Sequence, residues 1–493
     1  MSMLRGPGGF SRRRAPGGGD NYKWWAFSAI GISFVTQVMS ISMVFVALAA
    51  IADDFGVTLG EVSWVVIAQA LTISALMMPM GRLADIVGRR RIHLLGLLVY
   101  GSGAIAVVLA PSFGALIAAR VWMATGNSMG QAVGTAMVVS VFPPEERGNA
   151  IGAQATAVAI GGASGPIVGG LVLQWLPWEA LFVLTLIPTS IALVWGYLIL
   201  DDARMNQPFG DRAPFDYAGA LLSAAAIALL VLTINNPLRL GWTSPPMLAG
   251  LAVVVLLFAA FARRELRTEA PMLELRLFDN PVFSMAVLAR LAGFMSMTVS
   301  RFLVPIYLLS VRELEEAAVG GLIFLTSLGM GIAAQGSGRL SDRFGTRTLP
   351  FAGVAGARKV RLPMAFFDGG TPIVVVALLL LGLGLGMGTW NVPNNSAIMG
   401  AVPASRLGVV GALTNLTRNA GNVLGQAIAA GVVAAVMAAG GFDIPLSEIA
   451  DTPGAAASFI DGWRAAYALA VAFSAASLVL AIRTKPAFER IPR

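Results

Sequence analysis

Long apolar runs separated by short polar connections make up most of the chain. The runs lie near 24–51, 62–80, 92–110, 114–141, 149–173, 178–199, 217–234, 246–262, 281–310, 318–335, 348–367, 372–392, 409–438 and 464–482. About 20 apolar residues in a helix cross the hydrocarbon core of a bilayer. The pattern therefore predicts an all-α, polytopic membrane protein with about fourteen transmembrane helices.

The runs fall into groups along the chain. We predict a six-helix half at 24–200, a linker with two extra helices at 201–280, and a second six-helix half at 281–484. Residues 1–23 are rich in Gly and Arg and predict a disordered basic tail, and 485–493 form a second tail. Two pseudo-repeat halves are typical of transporters whose substrate site lies between them.

Composition and charge support this class. Hydrophobic residues are 57% of the chain and charged residues only 12%, whereas soluble proteins carry about 25% charge. With the N-terminus inside, Lys and Arg gather in the inner loops and tails, and the outer loops hold only Arg239, Arg312 and Arg464. The positive-inside rule then predicts a multi-pass plasma (inner) membrane protein with both termini cytoplasmic. The same sorting explains the net charge of +8 without a nucleic-acid partner.

The chain offers little for catalysis. It has no cysteine and one histidine, His93, which follows a run of arginines at a helix start. Thiol chemistry, disulfides, zinc clusters and an inward-facing Ser-His-Asp triad are thereby excluded. We predict no catalytic residue, no metal and no cofactor, and a protein that is not an enzyme. The residues do not define an oligomeric state.

The eleventh apolar segment is anomalous. Residues 348–367 include Arg358, Lys359 and Arg361, and each cation costs about 2.5–3.5 kcal/mol at the centre of a helix in the membrane. The positive loops on both sides nevertheless require an odd number of crossings. We therefore predict a helix here, with a locally altered sequence as the alternative.

Two copies of a short loop pattern suggest a gate. Gly81-Arg-Leu-Ala-Asp-Ile-Val-Gly-Arg-Arg-Arg91 lies between the second and third helices, and Gly338-Arg-Leu-Ser-Asp-Arg-Phe-Gly345 between the tenth and eleventh. One copy alone could be an ordinary basic turn. Two copies at matching places in two halves indicate a shared function, and we assign them as a gating motif whose residues are Gly81, Asp85, Gly88, Arg89, Gly338, Asp342 and Gly345.

These loops resemble the loop signature of the major facilitator superfamily. Arg120 with Gly126 and Gly130 resembles its fourth-helix motif. The fifth helix resembles the motif that marks its antiporters, through Gly161, Gly165, Pro166, Gly169 and Gly170. Helix packing is the alternative role of these glycines.

Further features narrow the resemblance. The helix count, the stretch from Phe215 to Gly219 and the stretch from Asn415 to Gly425 resemble the fourteen-helix drug:proton antiporter branch. The resemblance implies a multidrug-efflux-like permease with protons as the coupling ion.

The chain departs from that branch at three places. Ser40 stands where the first helix usually carries an aspartate, Gln69 stands where a tyrosine is common, and the sixth helix opens with Leu176-Pro-Trp-Glu179 instead of Trp-Arg-Trp. None of the 26 acidic residues is expected deep in a span. Proton relays usually need buried carboxylates or histidines, so proton coupling rests on the resemblance.

Cations take the place of acids inside the predicted spans. Arg290 and Arg301 are eleven residues apart on the ninth helix, so they lie on one stripe, roughly 16 Å apart. Arg120 and Arg418 lie on the fourth and thirteenth helices, where structural and binding roles are equally plausible. Arg290 can serve the cytoplasmic interface, which leaves Arg301 as the better cavity residue.

We predict a substrate cavity lined by polar or aromatic residues of the spans, although any single one is more often a helix-to-helix hydrogen bond. The candidates are Gln37, Ser40, Trp64, Gln69, Arg120, Asn127, Gln154, Arg301, Tyr307, Trp390, Asn391, Asn415 and Arg418.

The sequence thus predicts a secondary active transporter that exports small amphipathic molecules, such as drugs, lipids or secondary metabolites, by alternating access. Its partners would be the substrate, the bilayer and coupling protons. The alternatives are an importer or uniporter of an organic anion, or a non-transporting membrane receptor.

Overall fold

The fold is known from a computed structural model, which describes residues 21–202, 215–235, 244–268, 271–273, 275–344, 348–402, 406–442, 444, 449 and 452–483. Long helices follow one another through this part of the chain. Their bounds are α1 (Tyr22–Phe55), α2 (Trp64–Val87), α3 (Arg89–Val108), α4 (Phe113–Val141), α5 (Arg147–Leu173), α6 (Glu179–Ile199), α7 (Tyr217–Asn235), α8 (Pro245–Glu265), α9 (Pro281–Ile306), α10 (Glu316–Phe344), α11 (Thr348–Met364), α12 (Ile373–Gly400), α13 (Leu407–Ala439) and α14 (Ala455–Arg483).

Most of these helices match the dimensions of a bilayer. Within the described residues, 11 are long and apolar enough to span a membrane, and α7 contains a shorter apolar stretch. The prediction of an all-α membrane protein with about fourteen helices is confirmed. Several helices run past the predicted apolar segments. The fourteenth, for example, begins at Ala455 instead of 464.

The anomalous eleventh segment does form a helix, α11. It has 17 residues, which gives a length of about 25 Å. Arg358 and Lys359 are exposed, whereas Arg361 is buried with only 4% of its surface accessible. The predicted first tail also needs adjustment, because Tyr22 and Lys23 already belong to α1 and the Lys23 ammonium pairs with Glu146 at 2.7 Å. Residues 1–20 and 484–493 lie outside the described part.

Local sequence sets several helix ends. Asn280 caps α9 by accepting from the backbone N–H groups of Val282 and Phe283, and Pro281 occupies the first helical position. Gly56 ends α1 in the left-handed conformation, with φ 63°. At its other end α9 continues into a π-helical turn, Tyr307–Val311.

The helices form two six-helix halves, α1–α6 and α9–α14; α7 packs against α2 and α13, and α8 packs against α7. We call the end that carries the α2–α3 turn the inner end and the opposite one the outer end. A hydrophobic cluster at the inner end joins both halves, with Met78 and Ile151 from the first half and Phe283 and Val410 from the second.

The outer end is organised differently. Among the described residues, one outer cluster around Trp178 belongs wholly to the first half, and another around Trp463 belongs wholly to the second. Among the described residues, the hydrophobic clusters therefore connect the halves at the inner end and not at the outer end. This distribution of contacts is the one expected of an outer-open state of a two-half architecture.

Candidate functional site

The first loop motif closes the inner end. The buried Asp85 carboxylate accepts from the Arg89 guanidinium at 3.1 and 3.2 Å, and from the backbone N–H of Val409 in the opposite half at 3.0 Å. Gly88 allows the tight turn, because its φ of 113° is unfavourable for any residue with a side chain. We call Asp85, Arg89 and Val409 the inner latch, since the Val409 bond ties one half to the other.

The second loop motif supports a close approach of α5 and α10. Gly338 packs against the backbone of Gly148, and the Gln335 amide donates to Asn149 at 3.1 Å. A side chain at Gly338 would collide with this backbone. Gly345 and the side chain of Asp342 lie outside the described residues, so their predicted roles stay predictions.

The antiporter-like motif packs α5 on α1. A Cβ at Gly161 would approach the Val35 carbonyl oxygen to 2.6 Å, and one at Gly165 would approach the Met39 carbonyl oxygen to 2.7 Å. Gly169 makes ordinary contact with Met43. Pro166 is exposed, and nothing lies within 4 Å of a Cβ at Gly170. Two of the motif's glycines are thus required by close helix contact.

A polar group bridges the halves above the inner latch, centred on Gln131 of α4. The Gln131 side chain donates to Asn127 at 2.8 Å and accepts from the Arg418 guanidinium at 3.1 Å. Its backbone carbonyl accepts from Asn415 at 3.0 Å. Three predicted cavity residues, Asn127, Asn415 and Arg418, therefore meet at one place between α4 and α13.

Two arginines of α9 lie beside this group. The buried Arg290 donates to the Thr414 carbonyl at 2.9 Å and to the Asn391 side chain at 2.8 Å. Its guanidinium also stands 5.0 Å from the centre of the Phe294 ring. Arg301 lies eleven residues after Arg290, nearer the outer end of α9, and is exposed. Its positive charge is close enough to repel that of Arg418.

Arg290, Arg301 and Arg418 form what we call the arginine group. Arg418 interacts electrostatically with both others. Within the described part of the chain, their hydrogen-bond partners are neutral, and none of the three forms a salt bridge with a carboxylate. The separation of the halves at the outer end leaves Arg301 accessible. This arrangement suits a negatively charged ligand.

Arg120 occupies a different environment. It is fully buried in the first half, where it donates to the Gln69 side chain and to the Val65 carbonyl and lies 5.4 Å from the centre of the Phe182 ring. Gln69 is itself 4% exposed. These contacts give Arg120 and Gln69 a role in holding α2, α4 and α6 together.

The remaining predicted cavity residues are dispersed. In the first half, Gln37 and Ser40 of α1 are buried, Gln154 of α5 donates to Thr135 at 2.8 Å, and Trp64 is half-buried at the outer end of α2. Gln37 packs on Gly130 of α4.

The predicted aromatic residues of the second half have other neighbours. Tyr307 is buried near the outer end and donates to the Asp368 carbonyl at 2.7 Å. Trp390 lies inside the second half, 5.5 Å from Phe294 between ring centres.

Sequence reasoning missed three residues that the structure makes prominent. Gln131 has no distinguishing pattern around it, although its spacing four residues after Asn127 is a helical neighbour spacing. Glu265, at the inner end of α8, is buried and accepts from the Leu273 backbone N–H at 2.9 Å. Arg361 was noted only as an obstacle to insertion, and its burial places it inside the second half.

The inserted helices are held at the inner end by an ion pair. Asp216, from the predicted stretch 215–219, accepts from Arg264 at 2.7 and 2.9 Å and from the Gly219 backbone N–H at 3.0 Å. Burial raises the pKa of the Asp216 carboxyl, but these bonds and the Arg264 charge outweigh burial and hold that pKa below its ordinary value.

Two six-helix halves, a latch between them and a polar group at their interface define a multi-pass membrane transporter. The Major Facilitator Superfamily profile matches residues 30–426, and the chain belongs to this family. It is a transporter and not an enzyme.

Curated relatives and a solved structure agree with this assignment. The chain is 29% identical over 409 residues to the riboflavin transporter RibZ of Clostridioides difficile (strain 630), covering 82% of this chain and 87% of the relative. It is 28% identical to the methylenomycin A resistance protein of Streptomyces coelicolor, covering 88% and 90%. The fold is similar to the human organic anion transporter MFSD10, with a TM-score of 0.63 at 16% identity, covering 92% and 99% of the two chains.

Proposed function

We propose that this chain exports small amphipathic molecules carrying a negative charge, by alternating access across the plasma membrane, with the loop motifs on the cytoplasmic side. The observation that carries the charge preference is the arginine group, whose cations lack a carboxylate partner within the described residues. Arg290 is buried, and a buried cation is costly unless it is paired, whereas Arg301 is exposed and accessible to a substrate. An anionic substrate would supply the missing charge.

The direction of transport is supported by relatives whose names describe antibiotic resistance or drug efflux. In the proposed cycle, substrate enters from the cytoplasm, the inner latch closes behind it, and the outer-open state releases it. Arg301 holds the anion in this cycle, while Arg290 and Arg418 fix the polar group beside it.

Protons are the coupling ion in this proposal. Among the described residues, the buried carboxyl groups at the inner end are Asp85 in the latch, Glu265 in α8 and Asp216, which is paired with Arg264. Protons entering the cell would drive export of the substrate in the opposite direction. Transport measured with and without an imposed pH gradient tests this coupling.

The charge preference is tested with Arg301→Gln in proteoliposomes, using an anionic amphiphile and its neutral ester. We expect the apparent affinity for the anion to fall about tenfold or more, since a hydrogen bond to a charged group contributes about 1.5–3 kcal/mol. Transport of the ester should change little, and Arg301→Lys should restore part of the anion affinity. Arg312→Gln is the matched control, because Arg312 follows the same helix but bonds to the Gly369 carbonyl at the outer end. Equal loss for both substrates would contradict the proposal.

An importer or uniporter of an organic anion is the second candidate. It is favoured by Ser40, which stands buried in α1 where the antiporter branch usually has an aspartate. This candidate predicts downhill anion movement that is insensitive to an imposed pH gradient.

A further inference from the structure

Arg361 is a buried cation with unused hydrogen-bonding capacity. One of its terminal nitrogens donates to the Ser474 hydroxyl at 2.7 Å, and its Nε has no hydrogen-bond partner among the described residues. The Ser474 hydroxyl lies 2.8 Å from that of Ser296, which in turn donates to the Ala470 carbonyl. These partners are neutral, so the positive charge of Arg361 is uncompensated within the described part of the second half.

A small cavity lies beside this cation, between α9, α11, α12 and α14. Its volume is about 20 Å³, enough for one water molecule or one monatomic ion. Three of its lining residues are polar or aromatic, namely Arg361, Ser474 and Trp390, and the others are small or apolar: Gly293, Met297, Ala357, Gly386 and Met387.

A second unused donor belongs to the same cavity. The Trp390 indole is 4% exposed, and its Nε1 has no hydrogen-bond partner in the part of the chain that the structure describes. The position of the indole is fixed by two glycines, since a Cβ at Gly293 would collide with the ring and one at Gly353 would meet the Trp390 backbone nitrogen at 2.5 Å. Buried polar groups without a partner are uncommon in native proteins and indicate an unseen water or ion.

The chemistry of the cavity selects an anion. Arg and Trp side chains donate hydrogen bonds and accept none. A water molecule would accept from both donors, but it would leave the Arg361 charge unbalanced and would need acceptors for its own protons. A halide ion accepts from both donors and balances the charge.

We propose that this cavity binds one small monovalent anion, chloride in the cell, through Arg361 and Trp390. The site is distinct from the arginine group, because none of Arg290, Arg301 and Arg418 lines the cavity. The bound anion fastens α11 to α12 and α14. It also gives a physical reason why a membrane helix carries an arginine at its buried face.

Thermal unfolding of the purified full chain tests the proposal, with sodium chloride exchanged for sodium gluconate at constant ionic strength and pH. Gluconate is too large for a cavity of this volume. We expect the unfolding temperature to rise saturably with chloride, by about 1 °C or more, and bromide to replace chloride. Bromide should also give an anomalous diffraction peak next to the Arg361 Nε.

Two variants assign the effect to this site. Arg361→Gln should abolish the chloride dependence, whereas Arg301→Gln, in the arginine group, should retain it. Trp390→Phe keeps an aromatic ring and removes one hydrogen-bond donor, so it should raise the chloride concentration that gives half of the effect about tenfold. This variant tests the site even if Arg361→Gln does not fold. A chloride-insensitive wild type, which is the result for a water molecule, would overturn the proposal. A chloride effect that survives in both cavity variants would overturn it as well.

Discussion

Removal of the Asp85 carboxylate should shift the protein from the outer-open state towards the inner-open state. Asp85 makes two kinds of contact, one with Arg89 inside the first half and one with the Val409 backbone N–H across the halves. The Arg89 pair persists when the halves separate, so its energy cancels between the two states. Only the Val409 bond, at 3.0 Å and buried, contributes to the shift.

The size of the shift follows from that one bond. A hydrogen bond to a charged group contributes about 1.5–3 kcal/mol, and each 1.4 kcal/mol is a factor of about ten in a population ratio. Asp85→Ala should therefore favour the inner-open state about 10- to 100-fold relative to wild type. Asp85→Asn keeps a neutral acceptor for Val409, so it should give a smaller shift in the same direction.

Distances between spin labels measure these populations. The chain has no cysteine, so labels can be placed without background. Leu198→Cys and Leu340→Cys report on the inner end, where the native residues are 53% and 45% exposed. Trp175→Cys and Phe366→Cys report on the outer end, with 84% and 77% exposure. In Asp85→Ala the inner distance should lengthen and the outer one should shorten.

A matched control is available at the same end of the molecule. Asp202, which follows α6, pairs with Arg90 of the first half at 3.3 Å, so this ion pair does not reach the second half. Asp202→Asn should leave both distance distributions unchanged. If Asp85→Ala also leaves them unchanged in folded protein, the inner latch does not set the conformational equilibrium and the reasoning is refuted.

Two further predictions concern packing and pH. Gly165→Ala should destabilise the α1–α5 contact by about 1–3 kcal/mol, because the added Cβ would approach the Met39 carbonyl oxygen to 2.7 Å. Gly170→Ala is the control, because nothing lies within 4 Å of a Cβ at that position. Equal melting temperatures for the two variants would contradict the close contact. Asp216 has a folded pKa below its unfolded value of 3.8, so the ion pair with Arg264 stabilises the insert above that value and is lost as pH falls through the folded pKa. Amide hydrogen exchange at the inner ends of α7 and α8 should therefore become faster below about pH 4 in the wild type. In Asp216→Asn the same amides should exchange faster already at neutral pH. If this variant exchanges like the wild type, the ion pair does not hold the inserted helices.

The fold could be predicted from the sequence because hydrocarbon imposes simple rules. Helices must satisfy their own backbone hydrogen bonds in lipid, so apolar runs of sufficient length identify them. The first loop motif could be recognised because its residue types are required by its structure. Gly88 adopts a backbone conformation that disfavours a side chain, and Asp85 accepts a hydrogen bond from Val409.

The site could be predicted only in part, because burial of a polar residue does not reveal its partner. Arg120 and Arg418 had the same weight in the sequence, yet one is enclosed among Gln69 and Phe182 and the other reaches Gln131 of the opposite half. Glu265 was missed because it lies in a charged stretch, and such stretches are usually exposed to water. In the structure Glu265 is buried instead. These distinctions depend on which helices face each other, and helical spacing alone does not encode that.

Transport of an anionic fluorescent amphiphile into membrane vesicles of defined orientation tests the account most directly. We expect accumulation in inside-out vesicles that depends on an imposed proton gradient and is impaired by Arg301→Gln. Accumulation only in right-side-out vesicles, without dependence on the gradient, would contradict export and favour an importer or uniporter of organic anions.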